Sequence, residues 1–155
     1  MKLFKYLFKL VFFTLFVCRQ AIAADQLEID DAWIAEAPPG SKVMAAYLEI
    51  ENETSHDRLA TSMHCQEFDR AEFHQTIETD GIARMEHQQN LKIPADAELE
   101  LKPGGFHIML FNPARRLQAG DRTKCNMSFD DGSTIDFELE IKKASVDDHS
   151  HHHHH

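Results

Sequence analysis

The stretch Gly104–Phe111, which reads GGFHIMLF, guides the interpretation of the whole chain. Two glycines typical of a turn precede an apolar run that a single histidine interrupts. Successive side chains of a strand point to opposite faces, so Phe106 and every second residue after it share one face, while His107 and Met109 share the other. The stretch therefore predicts a strand that turns an apolar face to a core and carries a histidine and a methionine on its other face.

Similar short segments recur through residues 24–143. Their apolar residues alternate, and turn sequences such as ENETSHD (51–57), KPGG (102–105) and DDGS (130–133) separate them at roughly ten-residue spacing. The sequence of this part shows no long helical period, and its length suffices for one core but not for two. We therefore predict an all-β fold, a single antiparallel β-sandwich domain over residues 24–143.

Residues 1–23 have the three parts of a secretory signal peptide. Three lysines come first, an apolar stretch spans residues 10–18, and Ala21-Ile22-Ala23 forms a small-x-small cleavage pattern. We expect cleavage near Ala23. The mature protein would then begin near Ala24 and work in the periplasm, without insertion in the membrane.

Two other interpretations of this segment are weaker. An uncleaved anchor would need ~20 apolar residues, about twice the stretch that is present. A lipoprotein site at Cys18 would usually have small residues before the cysteine, where this chain has Phe16 and Val17.

The charge of the chain limits its partners. The predicted signal peptide contains four of the 16 basic residues and none of the 26 acidic ones, which leaves 12 against 26 and a net charge of −14. An acidic surface repels nucleic acid and anionic lipid. A cation, or a basic patch on another protein, is the better partner.

Two cysteines would remain in the exported protein, where the compartment is oxidising. Cys18 would leave with the signal peptide, so the mature chain would keep Cys65 and Cys125. An even count favours a disulfide that closes a long loop, and two separate buried thiols are the alternative. Neither cysteine belongs to a C-x-x-C motif, so a thioredoxin-like redox site is not expected.

Residues 144–155 form a predicted flexible tail that ends in DDHSHHHHH. The tail is either a purification tag or a native extension that collects metal. The predicted signal peptide indicates a natural precursor, and Ser150 after His149 is unlike the usual run of six histidines. A native extension is therefore favoured.

A second histidine and methionine flank a predicted hairpin at residues 71–89, which read AEFHQTIETDGIARMEHQQ. Asp80-Gly81 is a strong signal for a two-residue hairpin turn. Such a turn would place Met85 on the same face as His74 and diagonal to it, whereas a change of one residue in turn length would point Met85 away. The predicted cross-strand pairs are Thr79 with Ile82, Thr76 with Met85, and His74 with His87.

Methionine is usually core filler, and a single strand histidine is usually a surface residue. Here two histidine–methionine pairs are each predicted to lie on one face of a strand or hairpin, and this repetition favours a metal site over packing or surface roles. Thioether sulfur is soft and uncharged, which suits Cu(I) far better than zinc, calcium or magnesium. It also persists in an oxidising compartment, where two thiolates would tend to form a disulfide. We therefore expect a Cu(I) site that can pass its ion on, formed by His74, Met85, His107 and Met109.

The spacing of these four residues, H-x10-M-x21-H-x-M, resembles the signature of the periplasmic copper chaperones of the PCuAC type. The resemblance extends over nearly all of residues 27–142. Further phrases that are similar to the family are DAWIAEAPPGSKVMAAYLEIEN (31–52), DRLA (57–60), LKIPADAELELKPGGFHIML (91–110), RLQAGD (116–121) and FDDG (129–132).

The resemblance implies a cupredoxin-like β-sandwich of Greek-key topology that binds Cu(I) through the four residues. It also implies a protein that supplies copper to the binuclear copper centre of cytochrome c oxidase, sometimes together with a Sco-type thiol protein. We expect the protein to be a monomer. The family often carries a histidine-rich extension, which here would be a Cu(II) site formed by His149, His151, His152, His153, His154 and His155. The chain departs from the family at Ala35 and at residues 111–113, which bears on docking to a particular partner.

Other nearby residues have weaker claims. We expect Met63, His64 and Met127 to be packing or surface residues, and His87 to be the strongest auxiliary candidate. Glu72 shares a predicted face with His74 and is a candidate to orient its ring.

Three other functions compete with a chaperone. A blue-copper centre needs a cysteine thiolate with two histidines, but no histidine stands between Cys125 and His149. A hydrolase is disfavoured because the sequence has neither H-E-x-x-H nor G-x-S-x-G, so we expect no catalysis. Copper sequestration without a dedicated acceptor needs the same site as delivery and stays open.

Overall fold

A computed structural model describes residues 26–143, and the predicted signal peptide and histidine-rich tail lie outside the described residues. No helix in the described range is long and apolar enough to cross a membrane. The strands of this range are β1 (Leu27–Ala35), β2 (Val43–Asn52), β3 (Arg58–Cys65), β4 (Phe68–Thr79), β5 (Ile82–Gln88), β6 (Leu91–Ile93), β7 (Ala97–Leu101), β8 (Phe106–Pro113), β9 (Arg122–Phe129) and β10 (Thr134–Lys142).

The strands form one hydrogen-bonded path in the order β5-β4-β8-β2-β1-β10-β9-β3-β6, and β7 pairs with the second half of β2. The path folds over on itself, because β3 near one end contacts β4 near the other. Phe73, Ile108, Met127 and Leu139 belong to the single core that the two halves enclose. The predicted all-β sandwich is confirmed.

The described strands pair antiparallel except for β1 and β10, which run parallel with Trp33 beside Glu140. Parallel neighbours cannot be joined by a tight turn and need a long connection. The rest of the domain is that connection, so its first and last strands lie side by side.

Strand β8 confirms the predicted alternation on its apolar face. Ile108 and Leu110 are fully buried, and Phe106 packs against the core from a partly buried position. Burial of one apolar side chain of this size stabilises the fold by roughly 1.5–3 kcal/mol. The register of β8 is therefore strongly specified, because a shift by one residue would exchange its two faces.

Cys65 on β3 and Cys125 on β9 lie directly opposite each other and form a disulfide, with their Cα atoms 4.1 Å apart. Both residues belong to the core. The disulfide favoured by the sequence is therefore confirmed, and the alternative of two separate thiols is wrong.

Candidate metal centre

The β4–β5 hairpin carries two of the four predicted ligands. Its turn residues Asp80 and Gly81 both have positive φ, 54° and 74°, as a type I′ turn requires. The right-handed twist of such a turn matches that of the strands and so sets their register. All three predicted pairs are confirmed, namely Thr79 with Ile82, Thr76 with Met85, and His74 with His87.

Strand β8 contributes the other two predicted ligands. It lies beside β4, with His107 opposite His74 and Met109 opposite Glu72. The centres of the two imidazole rings are 5.9 Å apart. Three adjacent strands therefore bring His74, Met85, His107 and Met109 to the same face of the sheet.

Each of the two paired histidines has one ring nitrogen that is buried and has no hydrogen-bond partner. These atoms are Nδ1 of His74 and Nε2 of His107. A buried polar atom without a partner costs free energy, and native proteins rarely tolerate one unless it binds something. Two such atoms on neighbouring rings are the arrangement that a metal ion would satisfy.

The other nitrogen of each ring makes a hydrogen bond that fixes the tautomer. Nε2 of His74 is 3.0 Å from Oε2 of Glu72, and Nδ1 of His107 is 3.1 Å from the carbonyl oxygen of Gly105. A carboxylate and a carbonyl only accept, so these nitrogens carry the protons and donate. Nδ1 of His74 and Nε2 of His107 are consequently free to offer a lone pair to a metal.

Glu72 is held in turn by Arg70, whose Nε donates to Oε1 of Glu72 at 2.8 Å. The guanidinium of Arg70 lies 4.0 Å from the ring centre of Phe111. The hydrogen bond from His74 and, more weakly, that from Arg70 lower the pKa of Glu72, while partial burial acts in the opposite direction. Glu72 therefore stays an acceptor at neutral pH, as its expected role requires.

The two methionines differ in exposure. Met85 is 64 % exposed, whereas Met109 is half-buried. Both residues and His107 line a pocket of about 260 Å³ on the outer face of the sheet. The rest of its lining is mostly apolar and consists of Val43, Met44, Ala45, Tyr47, Thr76, Pro103 and Gly104.

His107 is more enclosed than the alternation of β8 alone suggests. A histidine on the outer face would be expected to project from the sheet, yet His107 is only 4 % exposed. The enclosure comes from the tertiary structure. Strands β4 and β2 flank β8 on either side, and the carbonyl oxygen of Gly105, in the turn before β8, accepts a hydrogen bond from the ring. Sequence reasoning did not identify this carbonyl, and the glycine pair before the histidine is the only local signal for it.

The structure separates the remaining candidates. Met63 and Met127 belong to the core, and His64 is exposed on β3, as expected. The sulfur of Cys125 is in the disulfide, so it cannot be the thiolate that a blue-copper centre needs. His87 is exposed on β5 beside His74.

One acidic group lies away from this site and was not foreseen beyond the net charge. Carboxylate oxygens of Glu28, Asp30 and Glu51 lie within 4.8 Å of one another on the exposed face of β1 and β2. Exposed acidic groups of this kind are common without a metal ion, and the three residues are part of the acidic surface of the protein.

Comparisons with known proteins place the chain in a family. The family model described as "Putative lipoprotein LpqE-like" matches residues 27–141. The protein "Putative lipoprotein Lxx21020" of Leifsonia xyli subsp. xyli is 31 % identical over 123 residues, which are 79 % of this chain and 73 % of that protein.

Two solved structures share the fold. The solution structure of CuI-DR1885 from Deinococcus radiodurans has a TM-score of 0.66 and 26 % identity, over 82 % of this chain and 87 % of that chain. The copper-bound PCuAC domain from PmoF2 has a TM-score of 0.64 and 13 % identity, over 76 % of this chain and 92 % of that chain. The chain therefore belongs to the LpqE-like family, and its fold is that of PCuAC domains.

Proposed function

We propose that this chain is an exported copper chaperone that binds one Cu(I) ion through His74, Met85, His107 and Met109 and passes it to an acceptor. The observation that carries the proposal is the pair of buried imidazole nitrogens without hydrogen-bond partners, Nδ1 of His74 and Nε2 of His107. The structure of a relative with Cu(I) at 26 % identity supports the choice of metal. The function is binding and transfer, not catalysis.

The donor set selects for Cu(I). Two imidazoles alone would suit several first-row metals, but two thioethers disfavour zinc and exclude the hard cations. A hydrogen bond from the other nitrogen holds each ring in place, with Nδ1 of His74 and Nε2 of His107 left for the ion. Little reorganisation is then needed on binding, which favours both affinity and speed.

The same set allows release. Four neutral ligands leave the single positive charge of Cu(I) uncompensated, so a thiolate on an acceptor would compete well for it. Met85 is the most exposed of the four, and it lines the same pocket as His107 and Met109. An incoming ligand can therefore reach the ion from the side of Met85 while the buried His107 still holds it.

We further propose an acceptor. The PCuAC resemblance points to the copper-centre subunit of cytochrome c oxidase, with a Sco-type thiol protein in the same route and the chaperone acting as a monomer in the periplasm. The predicted net charge of −14 would favour a basic docking surface on that acceptor.

The site is tested by X-ray absorption on the chain loaded with Cu(I) under ascorbate, with the six tail histidines, His149 and residues 151–155, changed to serine. We expect about two sulfur and two nitrogen scatterers, because a thioether and an imidazole each give one donor atom. The Met85→Leu/Met109→Leu double variant should lose the sulfur contribution. Met63→Leu, a conservative change in the core, is the matched control and should leave the spectrum unchanged.

Retention of the sulfur signal in the double variant would refute the four-residue site. Delivery is tested separately by mixing the Cu(I)-loaded chain with the soluble copper-binding fragment of the oxidase subunit. Stoichiometric transfer supports a chaperone, whereas a loaded chain that keeps its copper would support sequestration instead.

A further inference from the structure

A third histidine extends the site beyond its four proposed ligands. His87 lies directly opposite His74 in the β4–β5 pairing, with ring centres 5.5 Å apart and ring planes at 79°. On the other side of His74, the ring of His107 is 5.9 Å away. The three imidazoles form a row across β8, β4 and β5, with His74 in the middle.

Both spacings in this row are those of rings that can share a metal ion. An imidazole nitrogen binds a first-row metal at about 2.0 Å, so the ring centre lies about 3 Å from the ion and two rings on one ion are roughly 4.5–6.3 Å apart. The separations of 5.5 Å and 5.9 Å both fall in that range. The ring separations therefore allow one ion to be shared by His74 and His107, or by His74 and His87.

The row leads from the interior to the surface. His107 is 4 % exposed, the side chain of His74 is 13 % exposed, and His87 is exposed on the edge strand β5. Met85 lies two residues before His87 on the same strand, on the same face, and is itself 64 % exposed. The outer end of the row thus offers one imidazole and one thioether to solvent.

Among the described residues, His74, His87 and His107 do not form a group whose ring nitrogens all lie within 4.8 Å of one another, so one ion does not meet all three rings in this arrangement. Nε2 of His74 is engaged by Glu72, so Nδ1 is the single nitrogen available to a metal. The inner pair and the outer pair are consequently alternative positions for one ion, and both include Nδ1 of His74.

We propose that His74, His87 and Met85 form an outer copper position at which Cu(I) arrives and leaves, and that the ion moves between it and the inner site while it stays bound to Nδ1 of His74. The inference rests on the proposed function. On inward movement the bond to His87 breaks and bonds to His107 and Met109 form. Copper remains Cu(I) throughout, so the step needs no oxidant or reductant.

The experiment compares rates with affinities in the chain that carries the tail substitutions. Cu(I) is supplied as its bicinchoninate complex under ascorbate. Loading is followed in a stopped-flow instrument, and release is followed after addition of excess chelator. The test variant is His87→Gln, and the matched control is His64→Gln, which removes an exposed histidine from β3.

We expect His87→Gln to keep the equilibrium affinity for Cu(I) within about threefold, the range of a surface substitution. Its loading and release rates should both fall by at least about tenfold, the effect of losing one ligand of the transfer step. His64→Gln should change neither quantity.

Two outcomes would overturn the outer position. Rates in His87→Gln equal to those of His64→Gln would show that His87 takes no part in transfer. A His107→Gln variant, which lacks a ligand of the inner site, is measured alongside. An affinity loss in His87→Gln as large as in His107→Gln would show that His87 is a permanent ligand of a single site. If the chain with only the tail substitutions binds no Cu(I), the proposed function is refuted, and the inference with it.

Discussion

Glu72 has the clearest role of the residues that bind no metal themselves. It accepts a hydrogen bond from the Nε2–H of His74 and is itself held by Arg70, so the ring of His74 is fixed without a metal ion. A carboxylate that hydrogen-bonds a metal-binding histidine raises metal affinity by roughly 10–100-fold, because it orients the ring and raises its basicity. The contribution should appear in affinity and not in the identity of the ligands.

We therefore expect Glu72→Gln to weaken Cu(I) binding about tenfold, because a neutral amide oxygen is a poorer acceptor and Arg70 loses its partner. Competition with bicinchoninate measures the affinity, and X-ray absorption should show the same scatterers as in the parent. Glu78→Gln, an exposed change further along β4, is the control. An unchanged affinity in Glu72→Gln would show that His74 is positioned without the carboxylate.

Among the strands, β1, β2 and β7 carry acidic side chains that lie close enough to repel one another. Their registers place carboxylates side by side in two rows. Like charges directly opposite in a sheet are destabilising, so these rows do not serve the stability of the fold. Repulsion from Glu98 is the largest cause that raises the pKa of Glu49 above its ordinary value. Desolvation is the next, and repulsion from Asp31 and Glu100 adds smaller contributions. The two rows are Glu28, Glu51 and Glu98, and Asp30, Glu49 and Glu100.

Glu49→Gln should consequently raise the melting temperature at pH 7. The sign follows from linkage, because a carboxyl whose pKa is raised by folding favours the folded state at low pH and loses that contribution as pH rises through the folded pKa. The gain should therefore shrink as the pH falls through the pKa of Glu49, and it should shrink in high salt as well. Thermal unfolding at several pH values measures both effects.

The control for this prediction is Glu138→Gln on β10. Glu138 pairs with Lys124 and lies 3.7 Å from a guanidinium nitrogen of Arg122, so its neutralisation removes attraction. No gain in melting temperature is expected there. An equal rise in melting temperature in both variants would contradict the explanation that Glu49 is repelled by neighbouring carboxylates.

In the molecule as a whole, the proposed metal site and the disulfide belong to different parts of the sheet path. The site uses β5, β4 and β8 at one end, whereas the disulfide joins β3 to β9 near the other. Cys65 and Cys125 are separated by 60 residues in sequence. Closing a loop of that length is worth roughly 4 kcal/mol on the chain-entropy account.

The Cys65→Ala/Cys125→Ala double variant should lose about 4 kcal/mol of unfolding free energy, measured with urea, because the unfolded chain gains the freedom of the open loop. Its Cu(I) affinity in the folded state should match the parent, since the proposed ligands are on β4, β5 and β8 and neither cysteine is on those strands. Both cysteines are replaced together because a remaining thiolate would itself bind Cu(I). A parallel loss of copper affinity would show that the two regions are coupled.

The positions of the proposed ligands were predictable from the sequence where the physics is local. Asp80-Gly81 demands a type I′ turn, and that turn alone sets which residues of β4 and β5 face each other, so His74, Met85 and His87 could be placed in advance. The period of two along β8 likewise separated His107 and Met109 from the apolar face. These features depend only on residues within one hairpin or one strand.

The tertiary structure decided what lies between distant segments. Nothing local requires β8 to lie beside β4, yet that pairing sets His107 against His74, buries it and leaves the two lone pairs without partners. The exposure of His87 and the rows of carboxylates depend in the same way on which strand lies at an edge and which strands are neighbours. Turn type and side-chain alternation are determined by neighbouring residues, whereas the order of strands in a sheet is determined by the burial of one common core.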